Sequence, residues 1–181
     1  MAYGLLLIRA VFGLSFVVHG GEKLFGWFGG SGLRGAAAGF AHLRYRPPLL
    51  WALVAAASEL LGGMLFAFGL ATPFAALLIA VVMINAIATV HGAKGFSLSK
   101  GGYEYNLAIL TVALGVAATG PGRFSLDALI GWNGLSGLPW GLAVAVAAAA
   151  TSVLVLTVGR APQIAAPEGP GTERRVPNAS A

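Results

Sequence analysis

The chain has 181 residues, of which 57% are hydrophobic and only 9% are charged. Because an ordinary soluble domain carries roughly 25% charged residues, this composition excludes a soluble globular protein and indicates several membrane spans. The sequence contains no Cys, which excludes a disulfide, a Cys-ligated iron–sulfur cluster and a thiol relay within the chain. Basic loops at a membrane surface explain the net charge of +5, so no nucleic-acid partner is expected.

Five apolar segments have roughly the length of a helix that crosses about 30 Å of hydrocarbon. They are residues 3–24, 49–70, 72–90, 105–119 and 138–158. None of them alternates polar and apolar residues with period 2, which disfavours strands. The predicted fold is therefore all-α, a polytopic transmembrane helical bundle.

Two segments outside the spans have compositions that predict different structures. Residues 33–44 repeat apolar side chains at helical spacing, which predicts a short amphipathic helix in the headgroup layer. Residues 160–181 are rich in Pro, Gly and charge, which predicts a disordered cytoplasmic tail.

The distribution of basic residues predicts the orientation of the bundle. With five spans, nine of the 11 Lys and Arg residues lie on the side opposite the N-terminus: Lys23, Arg34, Arg44, Arg46, Lys94, Lys100, Arg160, Arg174 and Arg175. The positive-inside rule then predicts an N-terminus outside the cell and a C-terminus in the cytoplasm.

Ionisable and polar residues in or beside the spans are the functional candidates, because a charge at a helix centre costs about 2.5–3.5 kcal/mol. Seven such residues from four spans are predicted to share one depth in the cytoplasmic leaflet: His19, Lys23, Glu59, His91, Tyr103, Glu104 and Asn106. They could bind a ligand or handle protons. Alternatively they form a buried charge network that fixes the packing of the bundle, in which Lys23 and a His neutralise Glu59 and Glu104.

Three further charges are structural candidates. Arg9 lies in the first span and needs a polar partner. A pair with Glu59 is within its reach but is disfavoured by the opposite lean of the two side chains, and the alternative is that Arg9 snorkels to the outer headgroups. Arg123 and Asp127, in the outer loop, are expected to form a surface pair. No metal site is predicted, because the His and Glu residues lack a compact ligand spacing.

Four sequence blocks carry a family resemblance. They are His19-Gly20-x-x-Lys23-Leu24-Phe25-Gly26, Ser58-Glu59-Leu60-Leu61-Gly62-Gly63, Gly101-Gly102-Tyr103-Glu104-Tyr105-Asn106 and Gly120-Pro121-Gly122-Arg123-Phe124-Ser125-Leu126-Asp127-Ala128. In this order they resemble the DoxX family of bacterial integral membrane proteins, from about Leu5 to Leu129.

The resemblance implies a core of four transmembrane helices over residues 1–130, in a bacterial cell membrane. The fifth span, 138–158, then lies outside that core. Relatives in this family serve as membrane subunits of quinone-linked and oxidative-stress-related redox complexes, so a quinone and redox partner proteins are the implied ligand and partners. No intrinsic cofactor is expected. A non-enzymatic membrane scaffold and a small transporter or lipid-binding protein remain alternatives.

Overall fold

A computed structural model describes residues 2–132 and 134–161. These residues form seven α-helices and no strand, which confirms the predicted all-α class. The helices are α1 (Ala2–Phe25), α2 (Gly32–His42), α3 (Pro48–Phe68), α4 (Thr72–Ala86), α5 (Glu104–Thr119), α6 (Leu126–Leu129) and α7 (Leu138–Gly159). The predicted disordered tail lies outside the described residues from Pro162 onward.

Four helical stretches of the described chain are long and apolar enough to cross a membrane: Ala2–Phe25, Pro48–Phe68, Thr72–Lys94 and Leu138–Gly159. In the third of them, α4 continues through a π-helical turn at Ile87–His91 and a 3₁₀ turn at Gly92–Lys94. The remaining predicted span, 105–119, is the apolar helix α5, which has 16 residues and is therefore shorter than the others.

Glycines set how closely α1 packs on α3. A Cβ atom on Gly13 would lie 2.6 Å from the carbonyl oxygen of Gly63, and one on Gly20 would lie 2.6 Å from the amide nitrogen of Leu60. Both distances are far below van der Waals contact, so only glycine allows the two backbones to approach in this way. Helix α4 then packs against α3, α5 and α7, which places it at the centre of the bundle.

At the end of the bundle that carries the α3–α4 turn, Arg9 is fully buried, so the alternative that it snorkels to the headgroups is wrong. Its guanidinium group donates hydrogen bonds to the carbonyl oxygens of Pro121 and Phe124. The planar fork of donors matches these two acceptors, so the loop after α5 supplies the polar partners of Arg9.

Asp127 is also buried, with 1% of its surface exposed, so the expected surface pair with Arg123 is wrong. Its carboxylate accepts hydrogen bonds from the amide of Ala71 at 2.7 Å and from the amide and hydroxyl of Thr72 at 3.0 and 2.7 Å. Arg123 lies instead over the ring of Phe124, 4.8 Å from its centroid. Asp127 therefore satisfies the free amides at the start of α4, which ties the outer loop to the α3–α4 turn.

Candidate functional site

A cavity of about 200 Å³ lies near the opposite end of the bundle, where α1 ends and α3 begins. Its wall combines residues of α1, α2, α3, α4 and α7 with the connection between α2 and α3. Most of the wall is apolar. The polar residues in it are Lys23, Tyr45, Ser58, Glu59, Asn85 and Thr89.

One polar feature of the cavity is an ion pair between α1 and α3. The Nζ of Lys23 donates to Oε1 of Glu59 at 2.6 Å and also contacts Oε2. The side chain of Glu59 is only 6% exposed, whereas that of Lys23 is 36% exposed. The carboxylate is therefore the buried member of the pair, and the lysine reaches it from the more open side. Lys23 is one of the two partners that the sequence predicted for Glu59.

A second polar feature joins the α2–α3 connection to α4. The hydroxyl of Tyr45 donates to Oδ1 of Asn85 at 3.4 Å. The amide nitrogen of that Asn85 side chain donates to the carbonyl of Val81 at 2.9 Å, which fixes the direction of its oxygen. Tyr45 itself is 2% exposed, and burial raises the pKa of its hydroxyl, partly offset by the nearby charge of Arg160.

The two polar features lie at different depths. Glu59 lies ten residues before Gly69, and Asn85 lies 14 residues after Ala71, on opposite sides of the same tight turn. The difference of four residues corresponds to about 6 Å along the bundle, at 1.5 Å per residue. The cavity thus offers hydrogen-bonding groups at two levels, about one helical turn apart, between apolar walls.

Helix α7 completes the wall through Val155. Just beyond it, Gly159 packs so closely that an added Cβ would lie 2.8 Å from the Trp51 ring. The indole nitrogen of Trp51 in turn donates to the carbonyl of Arg46 at 3.1 Å. The C-terminal helix is therefore in contact with the aromatic residues of the site.

His19 does not reach the cavity, although it lies four residues before Lys23 and therefore about one turn away on the same side of α1. Its side chain is 49% exposed, and its Nδ1 lies 3.2 Å from Oε2 of Glu22, three residues later on the same helix. The long Lys23 side chain can reach Glu59 from the edge of this face, whereas the short imidazole cannot. The expected participation of His19 in the cluster is wrong.

Four other predicted residues also lie outside the cavity wall, and most of them order the loop between α4 and α5. The Nδ1 of His91 donates to the carbonyl of Gly101 at 2.7 Å. The carboxylate of Glu104 accepts from the amide of Leu98 at 2.9 Å. The ring of Tyr103 stacks edge-on against Phe96, with centroids 5.7 Å apart.

Asn106, the fourth of these residues, is buried in the core. Its amide nitrogen contacts the sulfur of Met83 at 3.5 Å. The predicted convergence of seven residues at one depth therefore reduces to Lys23 and Glu59 in the cavity. Among the residues that the structure describes, no group of three or more His, Asp or Glu side chains is placed to hold a metal ion.

Three residues of the cavity wall were not predicted from the sequence: Tyr45, Trp51 and Asn85. Asn85 carried a usable signal, because a carboxamide within an apolar span needs a hydrogen-bond partner and Thr89 follows four residues later on the same face. Tyr45 carried no comparable signal. It lies in a connection, and only the folded chain brings it against α4 and α7.

Comparison with known proteins places the chain in a family. The model of the family described as DoxX matches residues 4–92. The protein CatD of Bacillus subtilis (strain 168), provisionally named an oxidoreductase, is 35% identical over 127 residues, which are 70% of this chain and 87% of CatD. An uncharacterized protein of Haemophilus influenzae is 34% identical over 77 residues, 42% of this chain and 51% of that protein. No solved structure shows significant similarity to the chain.

Proposed function

The chain belongs to the DoxX family of membrane proteins, and from this premise we propose that it is the membrane component of an oxidoreductase system whose cavity binds a quinone-class ligand. The observation that carries the proposal is the cavity itself, which has apolar walls and hydrogen-bonding groups at two levels. The name of the Bacillus relative supports the oxidoreductase part of the proposal. We place the cavity in the cytoplasmic leaflet, following the distribution of basic residues.

The residues of the cavity fit the hydrogen-bonding chemistry of a quinone. A quinone head carries two carbonyl oxygens on opposite sides of an apolar ring, and the ammonium of Lys23 and the hydroxyl of Tyr45 are donors at two separate levels. Such sites combine an apolar lining with a small number of placed polar groups. When bound, a quinone supplies the capacity to carry two electrons and two protons.

Lys23, Glu59 and Tyr45 have distinct roles in this proposal. Lys23 Nζ and Tyr45 Oη orient the head by donating hydrogen bonds. The carboxylate of Glu59 accepts a proton at Oε1 and releases it again from the acid form, and Lys23 links it to the more open side of the site. The apolar residues on α3 and α4 exclude water from the ring.

The experiment is a titration of the purified protein with decylubiquinone, monitored by isothermal titration calorimetry. We expect saturable binding by the parent. Val155→Phe, which places a larger side chain in the cavity, should weaken binding at least tenfold. Val158→Phe is the matched control, because Val158 lies on the same helix, is 67% exposed and does not line the cavity. It should bind as the parent does.

Absence of saturable binding by a folded parent would refute the quinone proposal. Equal binding by the parent and both Val variants would place the ligand elsewhere and would also refute it.

A further inference from the structure

We propose that Arg160 is a positioning residue that holds Tyr45 in the cavity wall, so that the C-terminal end of α7 forms part of the ligand site. The identity of the ligand rests on the proposed function, whereas the contact between Arg160 and Tyr45 does not. Arg160 also lies outside residues 4–92, the segment that the family model matches.

Backbone pairing joins the end of α7 to the α2–α3 connection. Tyr45 and Arg160 form an isolated antiparallel bridge. Two hydrogen bonds flank it: Arg46 N to Gly159 O at 2.8 Å, and Ala161 N to Arg44 O at 3.0 Å. Because an α-helix leaves its last carbonyl groups unpaired, this bridge also satisfies a polar group at the end of α7.

The Arg160 side chain adds contacts to both the ring and the backbone of this connection. Its Cζ lies 6.0 Å from the centroid of the Tyr45 ring. Its Nε donates to the carbonyl of Leu43 at 3.1 Å. One guanidinium group therefore fixes the residue two positions before Tyr45 and faces the Tyr45 ring at the outer range of a cation–π contact.

Gly159 sets how closely α7 approaches these aromatic residues. A Cβ atom there would lie 2.8 Å from Trp51 Cε2 and 3.1 Å from Tyr45 Cδ1. Neither ring can move toward α7, and α7 cannot accept a larger residue at this position without shifting. The end of α7 and the aromatic wall of the cavity are therefore expected to move together.

The position of Tyr45 determines where its hydroxyl can donate. The hydrogen bond to Asn85 is 3.4 Å long, which is longer than the roughly 2.5–3.0 Å usual for an O–H donor, so the hydroxyl can turn to a better acceptor in the cavity. Loss of Arg160 should misplace that donor. Arg160→Ala and Tyr45→Phe should then weaken binding of a carbonyl ligand to a similar extent, up to about tenfold.

The contact is tested first without a ligand. The full chain is labelled with 5-fluorotryptophan, and Trp51→Phe identifies the ¹⁹F resonance of Trp51. We expect Arg160→Ala to shift or broaden this resonance and Arg160→Lys, which keeps the charge, to do so less. Arg34→Ala is the control, because it removes the same charge from an exposed position on α2. An unchanged Trp51 resonance in Arg160→Ala would overturn the proposal, whether or not the parent binds a quinone.

Decylubiquinone is then titrated into the parent, Tyr45→Phe, Arg160→Ala and the double variant. If Arg160 acts through Tyr45, the double variant should bind no more weakly than either single variant. Losses that multiply in the double variant would overturn the positioning role. If the parent binds no decylubiquinone, the proposed function fails, and the Trp51 resonance alone decides the contact between α7 and the aromatic wall.

Discussion

The ion pair of Lys23 and Glu59 gives a prediction about stability that depends on the unequal burial of the two charges. Lys23→Met keeps the apolar stem but leaves the carboxylate of Glu59, which is 6% exposed, without its cation. Removing one partner of a buried pair costs about 3–5 kcal/mol when the remaining charge stays buried. Glu59→Gln leaves the ammonium of Lys23, which is 36% exposed and can turn toward water, while the new carboxamide still accepts a hydrogen bond. We expect it to cost only about 1–2 kcal/mol.

The assay is reversible unfolding of each variant in mixed detergent micelles, with Lys100→Met as the control for loss of an exposed lysine. The double variant Lys23→Met/Glu59→Gln should be more stable than Lys23→Met alone, because no charge is then left buried without a partner. Two results would refute this reasoning. One is a larger cost for Glu59→Gln than for Lys23→Met, and the other is a double variant whose cost equals the sum of both.

Three other predictions follow from contacts of the described residues. Asp127→Ala should cost about 3 kcal/mol in the same unfolding assay, because it leaves buried donors at the start of α4 without an acceptor, whereas Arg123→Ala should cost less than about 1 kcal/mol. Similar costs for the two variants would contradict the burial of Asp127. Gly13→Ala should destabilise the protein by about 1–3 kcal/mol through the α1–α3 contact, whereas Gly115→Ala, whose Cβ would meet nothing within 4 Å, should not destabilise it. Equal effects of the two variants would refute the close packing of α1 on α3. Burial raises the pKa of Tyr45 above its usual value near 10, so the hydroxyl stays protonated from about pH 7 to 9. The factor by which Tyr45→Phe weakens decylubiquinone binding should therefore be the same at about pH 7 and pH 9, and a factor that shrinks toward pH 9 would contradict this.

The helices were predictable because their signal is local. Long apolar runs identify the spans, and Thr72-Pro73 marks the start of α4 where the structure has it. The contact between Glu59 and Lys23 was also within reach, because one buried carboxylate needs a cation and few are available at its depth. Which of Lys23 and His19 contacts Glu59 depended on side-chain length, and helical spacing alone does not take that length into account.

The site as a whole was not predictable, because its wall comes from parts of the chain that only tertiary structure brings together. His91, Tyr103 and Glu104 share a depth with Glu59 by counting along the spans. In the structure, their contacts instead order the loop before α5. Arg9 and Asp127 show the same limit. All but one of the hydrogen bonds described for them are to backbone groups of a distant loop and turn, and the exception is the Thr72 hydroxyl. Residue types in the sequence do not show where such backbone groups will lie.

Under the proposed function, the cavity beside Lys23 and Glu59 holds a quinone. The most direct measurement is mass spectrometry of the lipids that co-purify with the parent, Val155→Phe and Val158→Phe after gentle extraction from the membrane. We predict that quinone is enriched relative to bulk membrane lipid in the parent and in Val158→Phe, and that this enrichment is lost in Val155→Phe. Quinone at the bulk membrane level in all three proteins would contradict the claim.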